Sequence, residues 1–131
     1  MKKVAVFFAL LVIASFSACS SNDKSFGDAA TVGTWRLSYL SLNGDESTLQ
    51  FSGYVFTFKT DGSLVVARPG NTDVPGSWNE FSSNTRVEFT FADSGLLSRL
   101  VQDWVIDSVD NTEILLHELG HPLNQFELVR R

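Results

Sequence analysis

Apolar and polar residues alternate along most of this chain, and a period of two is typical of β-strands with one buried face. In the segment GTWRLSYL, residues 33–40, the side chains of Trp35, Leu37 and Tyr39 fall on one face and polar side chains on the other. No strong, long segment repeats at the helical period. The pattern therefore predicts an all-β protein.

Turn sequences divide the chain into about eight such segments. Asp61-Gly62 predicts a hairpin turn, Asp110-Asn111 predicts a second, and the Pro- and Gly-containing residues 67–77 predict a loop. The predicted strands lie at about residues 33–40, 54–58, 63–68, 78–81, 85–92, 103–109, 113–119 and 124–130. Short consecutive strands favour an antiparallel up-and-down meander, and closing it into a barrel hides the apolar faces and removes the sheet edges.

A short helical turn is predicted before the sixth strand. The segment DSGLLSRLVQ, residues 93–102, carries leucines that suit one or two helical turns, and Asp93 or Ser94 is placed to cap their N-terminus. The predicted fold is therefore a small eight-stranded antiparallel barrel with this helical turn, preceded by a signal peptide and a flexible tether.

The first 18 residues have the three parts of an export signal. Lys2 and Lys3 precede an apolar run at residues 4–14, and the small residues Ser17 and Ala18 follow it. The run is shorter than the ~20 apolar residues of a membrane span. We predict a signal peptide over residues 1–18, a flexible tether over 19–30 and one barrel domain over 31–131.

Cys19 follows this signal and is the only cysteine in the sequence. The stretch Phe16-Ser17-Ala18-Cys19 resembles a bacterial lipobox, which implies that Cys19 is lipidated and that the protein is anchored to a membrane without crossing it. Each buried methylene of the acyl chains contributes about 0.8 kcal/mol to such anchoring. Ser20 in place of aspartate favours the outer membrane of a Gram-negative cell envelope. Ordinary cleavage, which would leave a free thiol, is the alternative.

The charge distribution argues against nucleic acid as a partner. The formal net charge is −5, and it becomes −7 when Lys2 and Lys3 leave with the signal. No basic stripe is present, so we expect no nucleic-acid binding. We also expect a monomer without a cofactor.

Gly33-Thr34-Trp35 resembles the G-x-W signature at the first strand of lipocalins. The wider pattern is similar to the small lipocalin-like domains of bacterial lipoproteins. The resemblance implies a lipocalin-like barrel in which Arg130, near the end of the last strand, packs on Trp35 and contributes about 0.5–2 kcal/mol. It implies a role in binding and offers no reaction.

The aromatic residues on the predicted strands have two interpretations, because an eight-stranded barrel is either filled by side chains or encloses one small ligand. They could line a pocket for a small apolar molecule, or fill the barrel of a structural accessory lipoprotein. We predict a non-enzymatic role in binding a small apolar ligand or an envelope protein. The candidate ligand-binding residues are Tyr54, Phe56, Phe58, Trp78, Phe89 and Phe91.

The segment HELGH, residues 117–121, matches the H-E-x-x-H pattern of zinc metallopeptidases. A helix would separate the two histidines by a rise of ~6 Å, whereas a strand would separate them by ~13 Å, too far to share one zinc ion. Pro122 disfavours helix at the preceding residue. We therefore predict a strand end and a turn, without a metal site. The alternative is a zinc metallopeptidase using His117, Glu118 and His121.

Overall fold

The computed structural model describes residues 25–92 and 95–131. The predicted signal peptide, Cys19 and residues 19–24 of the predicted tether lie outside the described residues. The two predicted helix caps, Asp93 and Ser94, also lie outside them.

The described residues form one antiparallel sheet with little helix. The strands are β1 (Trp35–Leu42), β2 (Asp45–Glu46), β3 (Val55–Phe58), β4 (Ser63–Ala67), β5 (Val74–Phe81), β6 (Arg86–Phe91), β7 (Asp103–Val109), β8 (Glu113–Glu118) and β9 (His121–Arg130). One α-helix, α1 (Phe26–Ala30), precedes them, and 3-10 helices span Thr48–Phe51 and Leu96–Leu100. None of the helices in residues 25–92 and 95–131 is long and apolar enough to span a bilayer.

Eight of the strands close into a barrel. From β3 to β9 each strand pairs with the next in sequence, β1 pairs with β3, and β9 pairs back with β1. The two-residue strand β2 is an extra strand that forms a hairpin with the end of β1. The 3-10 helix Leu96–Leu100 precedes β7, which is the sixth strand of the barrel. The predicted fold class is confirmed, including the position of its helical turn.

The contacts of β1 with its two neighbours in the barrel, β3 and β9, are unequal. β1 and β9 pair from Trp35–Arg130 to Ser41–Gln125, with a bulge at Ser38. β1 and β3 pair only at Trp35–Phe56. Because the two strands diverge after this pair, a groove opens between them beside the 3-10 helix Thr48–Phe51.

Aromatic side chains fill the interior. The ring centroids of Phe56, Phe58, Phe89 and Phe126 form a closed set with neighbour distances of 5.9 to 6.5 Å. Trp104 meets Phe126 at 5.3 Å. Each of these side chains is at most 2% exposed. Burying one such ring contributes about 1.5–3 kcal/mol, so this cluster accounts for a large part of the stability of the fold.

Helix α1 covers one end of the barrel, where the sequence predicted a tether. Phe26 is fully buried and lies 5.2 Å from the ring of Phe58 and 5.6 Å from that of Trp78. The carboxylate of Glu80 accepts hydrogen bonds from the backbone N–H groups of Phe26 and Gly27, at 2.8 and 3.1 Å. The predicted boundaries, a tether to residue 30 and a domain from residue 31, are therefore wrong for residues 26–30. A five-residue helix is too short to show periodicity.

The strand β5 is longer than predicted. It begins at Val74 rather than near Trp78, inside the predicted loop at 67–77. Val74 is 4% exposed and belongs to the core. Gly76 fits here because a Cβ atom at this position would lie 2.3 Å from the backbone oxygen of Thr90. Pro75 and Gly76 therefore lie within a strand, although the proline and glycine content of this segment predicted a loop.

Candidate functional site

The two ends of the barrel differ in construction. The closed end carries α1, and there Arg130 lies 4.6 Å over the ring of Trp35. The guanidinium also donates to the backbone oxygens of Val32 and Asn111. Gly33 has φ +77°, and a Cβ atom there would lie 2.7 Å from Arg130 Nη1. The structure thus brings Gly33, Trp35 and Arg130 together, as the lipocalin resemblance implies.

The six aromatic candidates for ligand binding belong to the core or pack against it. Phe56, Phe58 and Phe89 are at most 2% exposed. The other three, Tyr54, Trp78 and Phe91, are partly buried against the same cluster. The space among the interior rings does not admit a water molecule. A ligand could enter among the interior rings only if the core opened, and ligand binding by the six residues stays a prediction.

The HELGH segment forms a hairpin. His117 and Glu118 end β8, Leu119 and Gly120 form the turn, and His121 begins β9 opposite Glu118. The predicted strand and turn are present, but the turn falls inside the motif, so the histidines lie on two strands rather than on one. A zinc peptidase needs both histidines on one face of a helix, and this hairpin does not provide that geometry. Residues 25–92 and 95–131 contain no group of three metal-binding side chains.

His117 has a local partner on the outside of the barrel. Its Nδ1 lies 2.7 and 2.8 Å from the two carboxylate oxygens of Asp107 on β7. The two side chains are 25% and 44% exposed. His117 follows the buried Leu116, and alternation along β8 places it on the outer face. The first histidine of the motif is therefore part of a surface pair rather than of the barrel end.

A polar recess opens at the end of the barrel opposite α1. We call it the open-end recess, and its volume is about 360 Å³. It collects residues from β1, β2, β8, β9 and the segments around both 3-10 helices. Its lining residues are Leu42, Asn43, Asp45, Ser47, Arg99, Gln102, Glu118, His121 and Asn124. Carboxylate, guanidinium, amide and hydroxyl groups therefore share one small space.

A hydrogen-bonded chain fixes one wall of the recess. Asn124 is only 6% exposed. Its side-chain oxygen accepts from the backbone N–H of Asn43 at 2.8 Å, and its Nδ2 donates to Glu118 Oε1 at 2.9 Å. A buried amide that is hydrogen-bonded on both sides holds its neighbours in place. Glu118 is therefore oriented before any ligand arrives.

Two further polar groups of the recess have unused hydrogen-bonding capacity. Ser47 is 6% exposed, and its hydroxyl makes no hydrogen bond with the described residues although it stands at the N-terminus of a 3-10 helix. Arg99 is exposed and donates from Nη1 to Gln50 Oε1 at 3.2 Å. The Ser47 oxygen is not among the buried side-chain atoms that lack a partner, so it remains accessible from the recess. Both groups are therefore available to a polar molecule in the recess.

A second space of similar volume lies in the groove between β1 and β3. It has about 360 Å³ and carries Arg36 and Arg131. The hydroxyl of Thr48, which lines it, already accepts a hydrogen bond from the backbone N–H of Leu40 at 3.0 Å. The hydroxyl of Thr48 is therefore already in use, whereas that of Ser47 in the open-end recess makes no hydrogen bond with the described residues.

Sequence reasoning identified only part of the open-end recess. Glu118 and His121 were candidates as zinc-site residues, and the structure places both in the recess. Asn43, Ser47 and Asn124 were not candidates, because isolated polar residues near turns look like solvated loop positions. Asn124 lies on the same inward face of the last strand as the core residues Phe126 and Leu128. A polar amide at an inward position was the one signal in the sequence that could have identified it.

Comparison with known proteins gives weak sequence similarity and a clearer structural one. No family model matches this chain. The chain is 29% identical over 113 residues to subunit 3 of the dolichyl-diphosphooligosaccharide–protein glycosyltransferase of Schizosaccharomyces pombe (strain 972 / ATCC 24843). The match covers 83% of this chain and 36% of that protein. The chain spans little more than a third of this relative, so no activity of the whole enzyme follows from the match.

A solved structure shares the fold. It is the crystal structure of a DUF4847 family protein from Bacteroides vulgatus ATCC 8482, similar to this chain with a TM-score of 0.60 and 15% identity. The similarity covers 79% of this chain and 96% of that one. At this identity the likeness concerns the fold alone, and it agrees with the closed antiparallel barrel.

Proposed function

We propose that this protein is a non-catalytic binding protein whose ligand is a small polar molecule held in the open-end recess. The observation that carries the proposal is the contrast between two spaces. The recess offers about 360 Å³ among polar side chains, whereas the space among the interior rings does not admit water. Ligand pockets are concave and carry a few convergent polar groups, and this volume is near the small end of their range of about 300–1,000 Å³.

The proposal includes a lipid anchor on a bacterial cell envelope, with the outer membrane as the preferred location. It rests on the lipobox-like stretch that ends in Cys19. A lipocalin-like classification is part of the same proposal, and the packing of Arg130 on Trp35 supports it. The apolar ligand inferred from the sequence is replaced by a polar one, because the rings fill the space where an apolar molecule would bind.

A structural accessory protein with a filled barrel is the second candidate. The packed rings of Phe56, Phe58, Phe89 and Phe126 favour it. Such a protein would act through its surface on another envelope protein and would leave the recess filled with water. The two candidates differ in whether any small polar molecule binds.

The test is a screen of the full chain, purified with its anchor in detergent, against sugars, organic acids, amino acids and polyamines. We expect one class to raise the melting temperature, since a ligand that binds only the folded state stabilises it by mass action. The shift should disappear in Ser47→Val and persist in Arg36→Ala, which changes the other groove. If every class leaves the melting temperature unchanged, the binding role is wrong and the accessory role replaces it.

A further inference from the structure

The open-end recess carries charges of both signs that do not pair with each other. Asp45 on β2 and Glu118 on β8 are acidic, and Arg99 comes from the 3-10 helix before β7. Among the described residues, no ion pair joins Arg99 to either carboxylate. The recorded side-chain partner of Arg99 is the neutral amide of Gln50. Side chains of both charges therefore line one small space.

Each charged group retains capacity for a ligand. Glu118 uses Oε1 to accept from Asn124, and its second oxygen has no recorded partner in the described part of the chain. A guanidinium has five N–H donors, of which Arg99 uses one on Gln50. Arginine can bind a carboxylate through two parallel hydrogen bonds, and charge-assisted bonds are about twice as strong as neutral ones. The recess can thus bind an anion on Arg99 and a cation on Glu118.

The other lining groups restrict the size and polarity of the ligand. Leu42 is the only aliphatic side chain among the lining residues, and none of them is aromatic. A large apolar substituent would therefore find little surface to contact. The unused hydroxyl of Ser47 and the amides of Asn43 and Gln102 favour a compact molecule with several polar groups.

The charges of the recess favour a ligand that carries both signs. Arg99, Asp45 and Glu118 give the recess one positive and two negative side chains. A pure anion would approach two carboxylates, and a pure cation would approach an arginine. A molecule with both charges satisfies both sides, and its polar groups can reach the hydroxyl of Ser47.

We infer that the ligand of the open-end recess is a small zwitterion of the amino-acid type. Its carboxylate binds the guanidinium of Arg99, and its ammonium group binds Glu118 with support from Asp45. This inference rests on the proposed function and specifies its ligand class. The chain Asn43–Asn124–Glu118 provides a fixed site for the ammonium group.

Titration calorimetry on the full chain tests the inference with modified ligands. The probes are the twenty common amino acids and, for each that binds, its N-acetyl form without the ammonium group and its amide without the carboxylate. Glucose serves as a neutral polar probe. We expect binding of free amino acids, and at least a tenfold loss of affinity when either charged end is blocked, because a lost charge-assisted hydrogen bond is worth about 1.5–3 kcal/mol.

Two variants assign each end of the ligand. Arg99→Gln should remove the preference for the free acid over the amide, and Glu118→Gln should remove the preference for the free amine over the N-acetyl form. The glutamine at position 118 can still accept from Asn124, so the wall keeps its hydrogen bond. Arg36→Gln, in the groove between β1 and β3, is the matched control and should preserve both preferences.

The outcomes separate this inference from the proposed function. If glucose binds and no amino acid does, and Ser47→Val abolishes that binding, the recess binds polar molecules but the zwitterion is wrong. If amino acids bind equally to Arg99→Gln and Glu118→Gln with both preferences intact, the binding site is elsewhere and both statements fail. If neither probe class binds, the zwitterion is wrong, and the wider screen decides the proposed function.

Discussion

At the scale of single residues, the closed end depends on Arg130. Its guanidinium lies over Trp35 and donates to the backbone oxygens of Val32 and Asn111. The indole N–H of Trp35 donates to the backbone oxygen of Ala30 at 2.9 Å. One side chain thus joins the first strand, the last strand, and the segment that leads from α1 into β1.

We expect Arg130→Ala to lower the free energy of unfolding by about 2 kcal/mol, from the lost cation–π contact and the lost hydrogen bonds. Urea unfolding monitored by tryptophan fluorescence measures this change. The neighbouring Arg131→Ala is the control, because Arg131 is exposed and contributes to the fold through its backbone N–H bond to Thr34. Equal effects of the two substitutions would show that the packing on Trp35 adds nothing.

A second residue-scale feature is the turn at Asp110. Its Oδ1 accepts from the backbone N–H of Thr112 at 2.7 Å, the hydroxyl of Thr112 at 2.8 Å and the backbone N–H of Glu113 at 2.9 Å. These bonds, the one from the backbone of Thr112 first, hold the pKa of Asp110 below its usual value of 3.8. A carboxylate whose pKa is lower in the folded state stabilises that state above the unfolded pKa, and the stabilisation is lost as pH falls through the folded pKa.

We therefore expect Asp110→Ala to reduce the urea midpoint at pH 7 and to reduce it less as the pH falls below 3.8. Unfolding curves measured at several values between pH 7 and pH 2.5 test the trend. Asp73→Ala is the control, since the side chain of Asp73 is exposed and makes no hydrogen bond with the described residues. A difference that grows toward acid pH would contradict the lowered pKa.

At the scale of elements, α1 is too short to be stable alone and depends on the barrel. Isolated helices below about 12–15 residues are marginal in water, and α1 has five. The burial of Phe26 and the two hydrogen bonds to Glu80 provide the stability that so short a helix lacks on its own. Ser25 adds a cap, because its hydroxyl accepts from the backbone N–H of Asp28 at 3.1 Å.

Glu80→Gln should loosen α1 without unfolding the barrel. A glutamine offers one acceptor oxygen in place of two, so one of the N–H groups of Phe26 and Gly27 loses its partner. We expect the amide hydrogen of at least one of them to exchange about tenfold faster, since a lost hydrogen bond of this kind is worth about 1.5–3 kcal/mol. Glu88→Gln, an exposed change on β6, should leave both rates unaltered. Unchanged exchange in Glu80→Gln would show that the packing of Phe26 alone holds α1.

The elements predicted from the sequence are those whose alternation reflects burial. β6 and the last strand place buried residues at every second position over most of their length, and the sequence pattern reproduces them. In β1 the alternation is right for Trp35 and Leu37 but shifts at the bulge at Ser38, so Leu40 is buried and the predicted position of Tyr39 on the inner face is wrong. β2 has two exposed residues and no pattern. α1 has one large apolar residue among small ones. The sequence did not predict the open-end recess, because its residues come from separate segments that only the closed barrel brings together.

At the scale of the whole molecule, the packed interior predicts how the barrel responds to apolar probes. We expect benzene to leave the melting temperature unchanged. In Phe126→Ala, which should cost about 3–5 kcal/mol, benzene should restore part of the loss by filling the new cavity. Leu123→Ala on the same strand is the control, because Leu123 is 82% exposed. If benzene raises the melting temperature of the unaltered protein, the interior must open to admit it. That result would support the apolar ligand expected from the aromatic residues.

The seam between β1 and β9 has a consequence for the rate of folding. Trp35 pairs with Arg130 and Ser41 with Gln125, so the strands that complete the ring are almost the full domain apart along the chain. Contacts of such wide sequence separation slow the search for the native state, because entropy is lost before these contacts form. Until the seam forms, β1 and β9 each expose an unpaired edge able to join another chain. The protein should therefore be most prone to aggregate during refolding, in the interval before β1 and β9 pair.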